Sequence, residues 1–194
     1  HAAAKDVGLP FVPGCRLVPE DGPEILAFPR NRAAYGRLAQ LLTLGNRRAP
    51  KGECWFDLDD IFGPVFGAGR DQVLVVVPPE NPEESFTKVL QTIRRRVHSD
   101  TVVWLAARHL YRGDDAARLD DLESLASAAG TPLLATNDTH AHDPGRRALQ
   151  DVLTCIREHT IVAEAGFRLQ GNNERHLKSP AEMARLFAGH EEAV

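Results

Sequence analysis

Apolar positions along this chain follow two alternating patterns. Short runs of adjacent apolar residues occupy 9–18 (LPFVPGCRLV), 24–28 (EILAF), 72–77 (QVLVVV), 101–106 (TVVWLA) and 131–136 (TPLLAT), and each reads as a strand. Asp21-Gly22 is the turn expected between the first two. Helical spacing fills the intervals. Asn31 opens a helix in which Tyr35, Leu38, Leu41 and Leu42 share a face and which is expected to end near Gly45. A second starts at Pro82 or Glu83 and runs to about Val97, and a third covers 114–129 and closes at Gly130. The segment 57–62 reads as one or two helical turns before a loop marked by Gly63, Pro64, Gly67 and Gly69.

The runs at 72–77 and 101–106 are continuous rather than alternating, as in strands buried on both faces of a parallel sheet. Repeated strand and helix units of this kind predict an α/β fold. A mostly parallel, barrel-like sheet is expected, because a cluster of polar side chains follows directly on the last strand, where such folds place their chemistry. From Arg146 the pattern turns helical. Leu149, Val152, Leu153 and Ile156 recur at helical spacing, and Ser179-Pro180-Ala181-Glu182 has the form of a capping box ahead of Met183, Leu186 and Phe187. The expected division is an α/β domain over 1–145 and a helical tail over 146–194. The opening AAAKDVG reads as the last turns of a helix with Gly8 as its C-terminal cap, so the α/β domain is expected to be truncated at its N-terminus and the chain to be an internal piece of something longer.

Composition narrows the classes. With 194 residues, 43% hydrophobic and 26% charged, the chain suits one globular domain with a full core. A net charge of −4 provides no general attraction to nucleic acid, so any such contact would be local. Cys15, Cys54 and Cys155 are widely separated and form no Cys-x-x-Cys pair, which argues against a disulfide framework or a zinc knuckle. No apolar run reaches membrane-spanning length, and a cytoplasmic protein is expected. The absence of GxGxxG, P-loop and GxSxG motifs speaks against dinucleotide, nucleotide and α/β-hydrolase sites.

The candidate chemistry begins after the strand at 131–136. Asn137, Asp138, His140 and His142 follow within six residues, and an extended backbone through 138–142 would put the carboxylate and both imidazoles on one side. That donor set suits zinc or manganese better than calcium. The competing reading is a polar loop that caps a strand with solvated histidines. His109 follows the strand at 101–106 and lies in a similar position. Arg94-Arg95-Arg96 and Arg146-Arg147 could meet phosphate, although charge runs on helices are more often solvated faces. Trp55 could stack on a base, whereas Trp104, inside an apolar strand, and Cys155 read as packing residues.

Four segments carry a resemblance: ATNDTHAHDPGRRALQDVLTCIREHT, NNERHLKSPAEMARLF, VPGCRLV and LAFPRNRAAYGRLAQLLTLGNRRAPKGEC. Over essentially its whole length the chain resembles the PHP (polymerase and histidinol phosphatase) region of bacterial C-family DNA polymerases, the polymerase III alpha-subunit class. The last two segments look like the error-prone, damage-tolerant branch. The resemblance implies part of a nucleotidyltransferase that uses DNA and deoxynucleoside triphosphates, with Mg2+ in a palm outside this chain and repair proteins as further partners. It carries the family's final Asp-x-His metal motif onto Asp138 and His140. Where the replicative branch has a glutamate ligand after Gly-Cys, Arg16 stands here, and a guanidinium offers no lone pair to a metal. A degenerate PHP site is therefore expected, with zinc or manganese disfavoured there. Arg16 is expected near Asp138, as a built-in cation in place of metal. The alternative is a free-standing PHP metal-dependent phosphoesterase or 3′–5′ exonuclease.

Overall fold

A computed structural model describes residues 2–64, 67, 69–97 and 101–194. It contains five strands, β1 (Cys15–Leu17), β2 (Ile25–Pro29), β3 (Gln72–Val76), β4 (Val103–Ala107) and β5 (Leu133–Ala135). The helices are α1 (Ala2–Asp6), α2 (Arg32–Arg48), α3 (Leu58–Phe62), α4 (Ser85–Arg96), α5 (Asp115–Ala129), α6 (Arg147–Arg157), α7 (Val162–Ala165) and α8 (Pro180–Leu186). Two compact units are present, one of residues His1–Ala106 with Ser124–Pro132 and one of Ala107–Glu123 with Leu133–Val194.

The strand order is β1-β2-β3-β4-β5, an open sheet and not the barrel-like closure expected from the sequence. Five strands, of which β1 and β5 have three residues each, are too few and too short to complete a barrel of about eight. Direction also varies across the sheet. β3 and β4 are parallel, with Val75 opposite Trp104, while β1 with β2 and β2 with β3 are antiparallel. The antiparallel pairs follow from the tight turn near Gly22 and from the return of the chain along β2. Pairing of β2 with β3 extends past both ends, as Val77 N donates to Glu24 O at 2.9 Å and Arg30 N to Asp71 O at 3.0 Å.

Proline explains the shortest strand. The apolar run at 9–18 was expected to be extended throughout, but only Cys15–Leu17 enters the sheet. Pro10 and Pro13 have no N–H to contribute to a ladder, so pairing starts after them. The three later strands form where expected. Their burial is less uniform than continuous apolar runs suggest, with Val73 and Val102 exposed, and Val102 lies outside β4. Trp104 is half-buried instead of core. Leu74, Val76 and Leu105 are fully buried and form the interior of the sheet.

The capping signals in the sequence operate at the N-caps, although the expected capping box at α8 is only half formed. Asn31 accepts the Ala34 amide at 2.8 Å, and Asp57 with Asp60 completes a reciprocal capping box on α3. Gly8 adopts φ +66°, and the bonds Gly8 N to Lys5 O and Leu9 N to Ala4 O close α1 in a Schellman arrangement. At α8, Ser179 accepts from Glu182 N, but the Glu182 carboxylate is held by Arg185 instead of returning to the cap.

Gly45 does not end α2, which continues to Arg48. Instead it is a close-packing point. A Cβ there would lie 2.6 Å from Cys54 Sγ and 3.1 Å from the Phe56 ring, and its carbonyl accepts Trp55 N at 3.2 Å. Gly36, on the same helix, has nothing within 4 Å of an added Cβ. The two glycines should respond oppositely to substitution. Gly45→Val is expected to lower the unfolding free energy by about 1–3 kcal/mol through overpacking, and Gly36→Ala to raise it by roughly 0.5–1 kcal/mol through helix propensity. Urea denaturation midpoints at constant m-value check both.

Candidate functional site

The polar cluster after β5 is organised by one residue's backbone. Asp138 has φ +41°, a left-handed conformation that aspartate tolerates better than most residues. The extended run through 138–142 is therefore broken at its first position, and the period of two that would align Asp138, His140 and His142 does not apply. The Asp138 side chain is 11% exposed, while His140 and His142 are exposed residues.

Arginine surrounds the Asp138 carboxylate. Arg108 Nη1 lies 3.3 Å from Oδ2, Arg175 Nη2 pairs with the same oxygen, and Arg175 Nε donates to the Asp138 backbone carbonyl at 3.0 Å. Both guanidiniums are largely buried, at 11% and 19% exposure. Charge-assisted bonds of this kind occupy the lone pairs that a metal would need. A divalent cation at Asp138 would have to displace a guanidinium and would meet like charge at close range. Among the described residues, neither Asp138 nor His140 belongs to a group of three ligand-type side chains within reach of one ion.

His140 is held differently. Its backbone N–H donates to Arg175 O at 2.8 Å, and the Gln170 side-chain amide lies 2.8 Å from Nδ1. With that amide donating, Nδ1 accepts and the proton of the neutral ring sits on Nε2. His109, the other histidine considered from sequence, packs edge-on to Tyr111 at 5.0 Å, and its Nδ1 is buried with no hydrogen-bond partner. Arg16 lies on β1, where it pairs with Glu24; both side chains are more than a third exposed, so the contact contributes little.

The segment NNERHLK, which the sequence left without a physical role, is the structural counterpart of the cluster. Ala141 and His176 form a parallel bridge, and Leu177 N donates to Ala141 O at 3.0 Å. The buried Asn137 amide donates to the carbonyls of Glu174 and His176. Asn172 Nδ2 reaches Leu110 O at 2.6 Å, and Lys178, 2% exposed, is neutralised by Glu174 at 2.9 Å. Arg108 and Arg175 are the residues that sequence reasoning missed. A signal existed for Arg108, since alternation along an extended segment puts it and His109 on opposite sides.

A second carboxylate fixes the loop that carries Arg108. The buried Asp115 accepts from Leu110 N at 2.7 Å, Arg112 N at 2.6 Å and Gly113 N at 3.3 Å. Burial pushes the Asp115 carboxyl up, but these amides and the nearby His109 outweigh it and hold the group below the ordinary aspartate range.

The described arginine runs are also engaged. Arg96 pairs with Asp59 and lies 5.9 Å over the Phe62 ring, and Arg147 donates to Gln170 O and stands 3.5 Å from Asp151. Trp55 is 40% exposed and its indole N–H donates to Glu53 at 2.9 Å. Cys155 is buried as expected, but the stripe of Leu149, Val152, Leu153 and Ile156 on α6 is exposed.

No family model matches the chain. Curated proteins do. The chain is 46% identical over 186 residues to an error-prone DNA polymerase of Caulobacter vibrioides, covering 95% of this chain and 17% of that protein. It is 49% identical over 189 residues to one from Bradyrhizobium sp., covering 93% and 16%, and 44% identical over 200 residues to one from Brucella abortus, covering 100% and 18%. The chain thus spans about one sixth of the length of these relatives.

The site geometry sets two expectations. Asp138→Ala leaves two largely buried guanidiniums without this carboxylate and should cost about 3 kcal/mol, whereas Arg175→Met leaves Arg108 in place and should cost roughly 1–2 kcal/mol. A gain in stability on removing Asp138, as expected where a carboxylate waits for a metal, would contradict the pairing. For Asp115, the depressed folded value means its stabilisation is complete above the unfolded aspartate value of about 3.9 and is lost as pH falls through the folded one. The stability gap between the protein and Asp115→Asn should therefore widen as pH rises through the acid range and level off above that value, a profile measured by chemical denaturation at a series of pH values.

Proposed function

We propose that this chain, a homologue of one segment of the error-prone DNA polymerases, is the PHP region of such an enzyme and serves it as a structural module without hydrolytic chemistry of its own. Identity of 44–49% over nearly the whole chain supports the polymerase assignment. The Asp138 pairing with Arg108 and Arg175 carries the second part of the reading. On this reading the degenerate site has exchanged a metal for protein cations. A guanidinium keeps the carboxylate in place but cannot lower the pKa of a bound water or polarise a phosphoryl oxygen.

The activity of the whole polypeptide would be template-directed nucleotidyl transfer from deoxynucleoside triphosphates to a DNA primer, past damaged bases, in DNA repair and replication. That reaction would use two Mg2+ ions in a palm domain, each stabilising an oxygen of the in-line displacement. Residues 1–145 would form the partial PHP-like domain and 146–194 the helical tail. Leu149, Val152, Leu153 and Ile156 on α6 then have a role, as an apolar stripe available to the polymerase core or to repair proteins. No described helix is long and apolar enough to cross a membrane, which is consistent with a proposed cytoplasmic setting. A PHP phosphoesterase or 3′–5′ exonuclease is not favoured, since it would need zinc or manganese at Asp138 and His140.

The test is direct. Incubated with manganese or zinc and an end-labelled single strand, the chain is expected to release no nucleotide above the rate of a denatured control. Release that disappears in Asp138→Ala or His140→Ala would establish a live site and overturn the reading. In the complete polypeptide, Arg175→Met should reduce primer extension only as far as it reduces folded protein.

A further inference from the structure

We propose that Asp120, Glu123 and His190 form a divalent transition-metal site of the zinc class, separate from Asp138 and His140. Asp120 and Glu123 are three residues apart on α5, a spacing that places both carboxylates on one side of the helix. They are the most exposed parts of the group, at 75% and 60%. His190 comes from the chain after α8. Gly189 (φ +93°) turns the backbone, Phe187 is buried to 1% exposure, and His190 N donates to Phe187 O at 2.8 Å. The imidazole is itself nine-tenths buried, at 10% exposure, so its orientation is fixed by packing.

The ligand atoms of the three residues all lie within 4.8 Å of one another, and among the described residues this is the group that meets that condition. His190 Nδ1 is 3.1 Å from Glu123 Oε2, yet it is buried with no hydrogen-bond partner. Nε2 is 3.4 Å from Asp120 Oδ1. Two donors bound tetrahedrally at zinc distances of about 2.0–2.1 Å are about 3.3–3.4 Å apart, close to the spacing between Nδ1 and Glu123. In the neutral imidazole one ring nitrogen keeps a lone pair, and Nδ1, buried beside a carboxylate with no hydrogen bond, is placed to offer it to an ion. One nitrogen with two carboxylates suits zinc or manganese and leaves a coordination position for water. The surrounding helix sequence, with Asp114, Asp115, Asp120, Asp121 and Glu123 against Arg118, adds negative charge that favours a divalent cation. Binding would tie the chain after α8 to α5 through the metal.

Zinc chloride titrated into the chelator-stripped 194-residue chain, followed by calorimetry, is the primary measurement, with Co2+ visible absorption as the geometric readout. One zinc per chain and tetrahedral Co2+ bands are expected. Glu123→Gln, exposed and outside the core, and His190→Ala should each weaken binding by at least roughly tenfold. Glu123→Gln keeps the test valid if His190→Ala fails to fold. His140→Ala, an exposed residue, should leave binding unchanged. Absence of saturable zinc binding overturns the proposal, as does binding that survives Glu123→Gln or is lost in His140→Ala.

Discussion

The pairing of one carboxylate with two arginines, Asp138 with Arg108 and Arg175, holds the second unit in register. Its three members come from the loop after β4, the loop after β5 and the stretch before α8. None of these segments has enough regular structure to fix itself. Asp138 is left-handed, the Arg108 loop hangs on the amides that Asp115 gathers, and the stretch at 172–177 lies against 137–141 through side-chain amides and a single bridge. Buried ion pairs gain little over a well-packed apolar substitute but are costly to break by halves. Both guanidiniums reach one carboxylate, which ties the three segments to one another.

That constraint also accounts for what the sequence disclosed and what it hid. Strands β2 to β5 and the main helices were legible because their signals are local, in Asn31, Ser179, Gly130 and the apolar runs themselves. Features that depend on distant residues were not. Gly45 looks like a stop from its neighbours and is a contact point because Cys54 and Phe56 pass beside it. The open sheet depends on the number and length of strands that pair, which periodicity does not count. Asp138 and His140 were found as polar residues at a strand end, but their partners lie 30 to 37 positions away, and no spacing rule connects them.

A carboxylate that can hold a cation has no preference between a metal and a guanidinium until its surroundings choose, and here two arginines supply the positive charge. An arginine pair is permanent, since a metal can leave or exchange its water and a covalently attached guanidinium cannot.

The three-residue β1 has a consequence for the chain outside the folded state. An exposed sheet edge offers unpaired amides to any other extended segment, and edges that are long and apolar seed intermolecular pairing. Pro10 and Pro13 interrupt the apolar stretch before β1 at two places where such a segment would need a donor, and Arg16 adds a charge in the middle of the strand. Residues 9–18, among the most apolar of the chain, are thereby kept from templating a cross-strand assembly. Replacing the two prolines would remove two interruptions that limit such pairing.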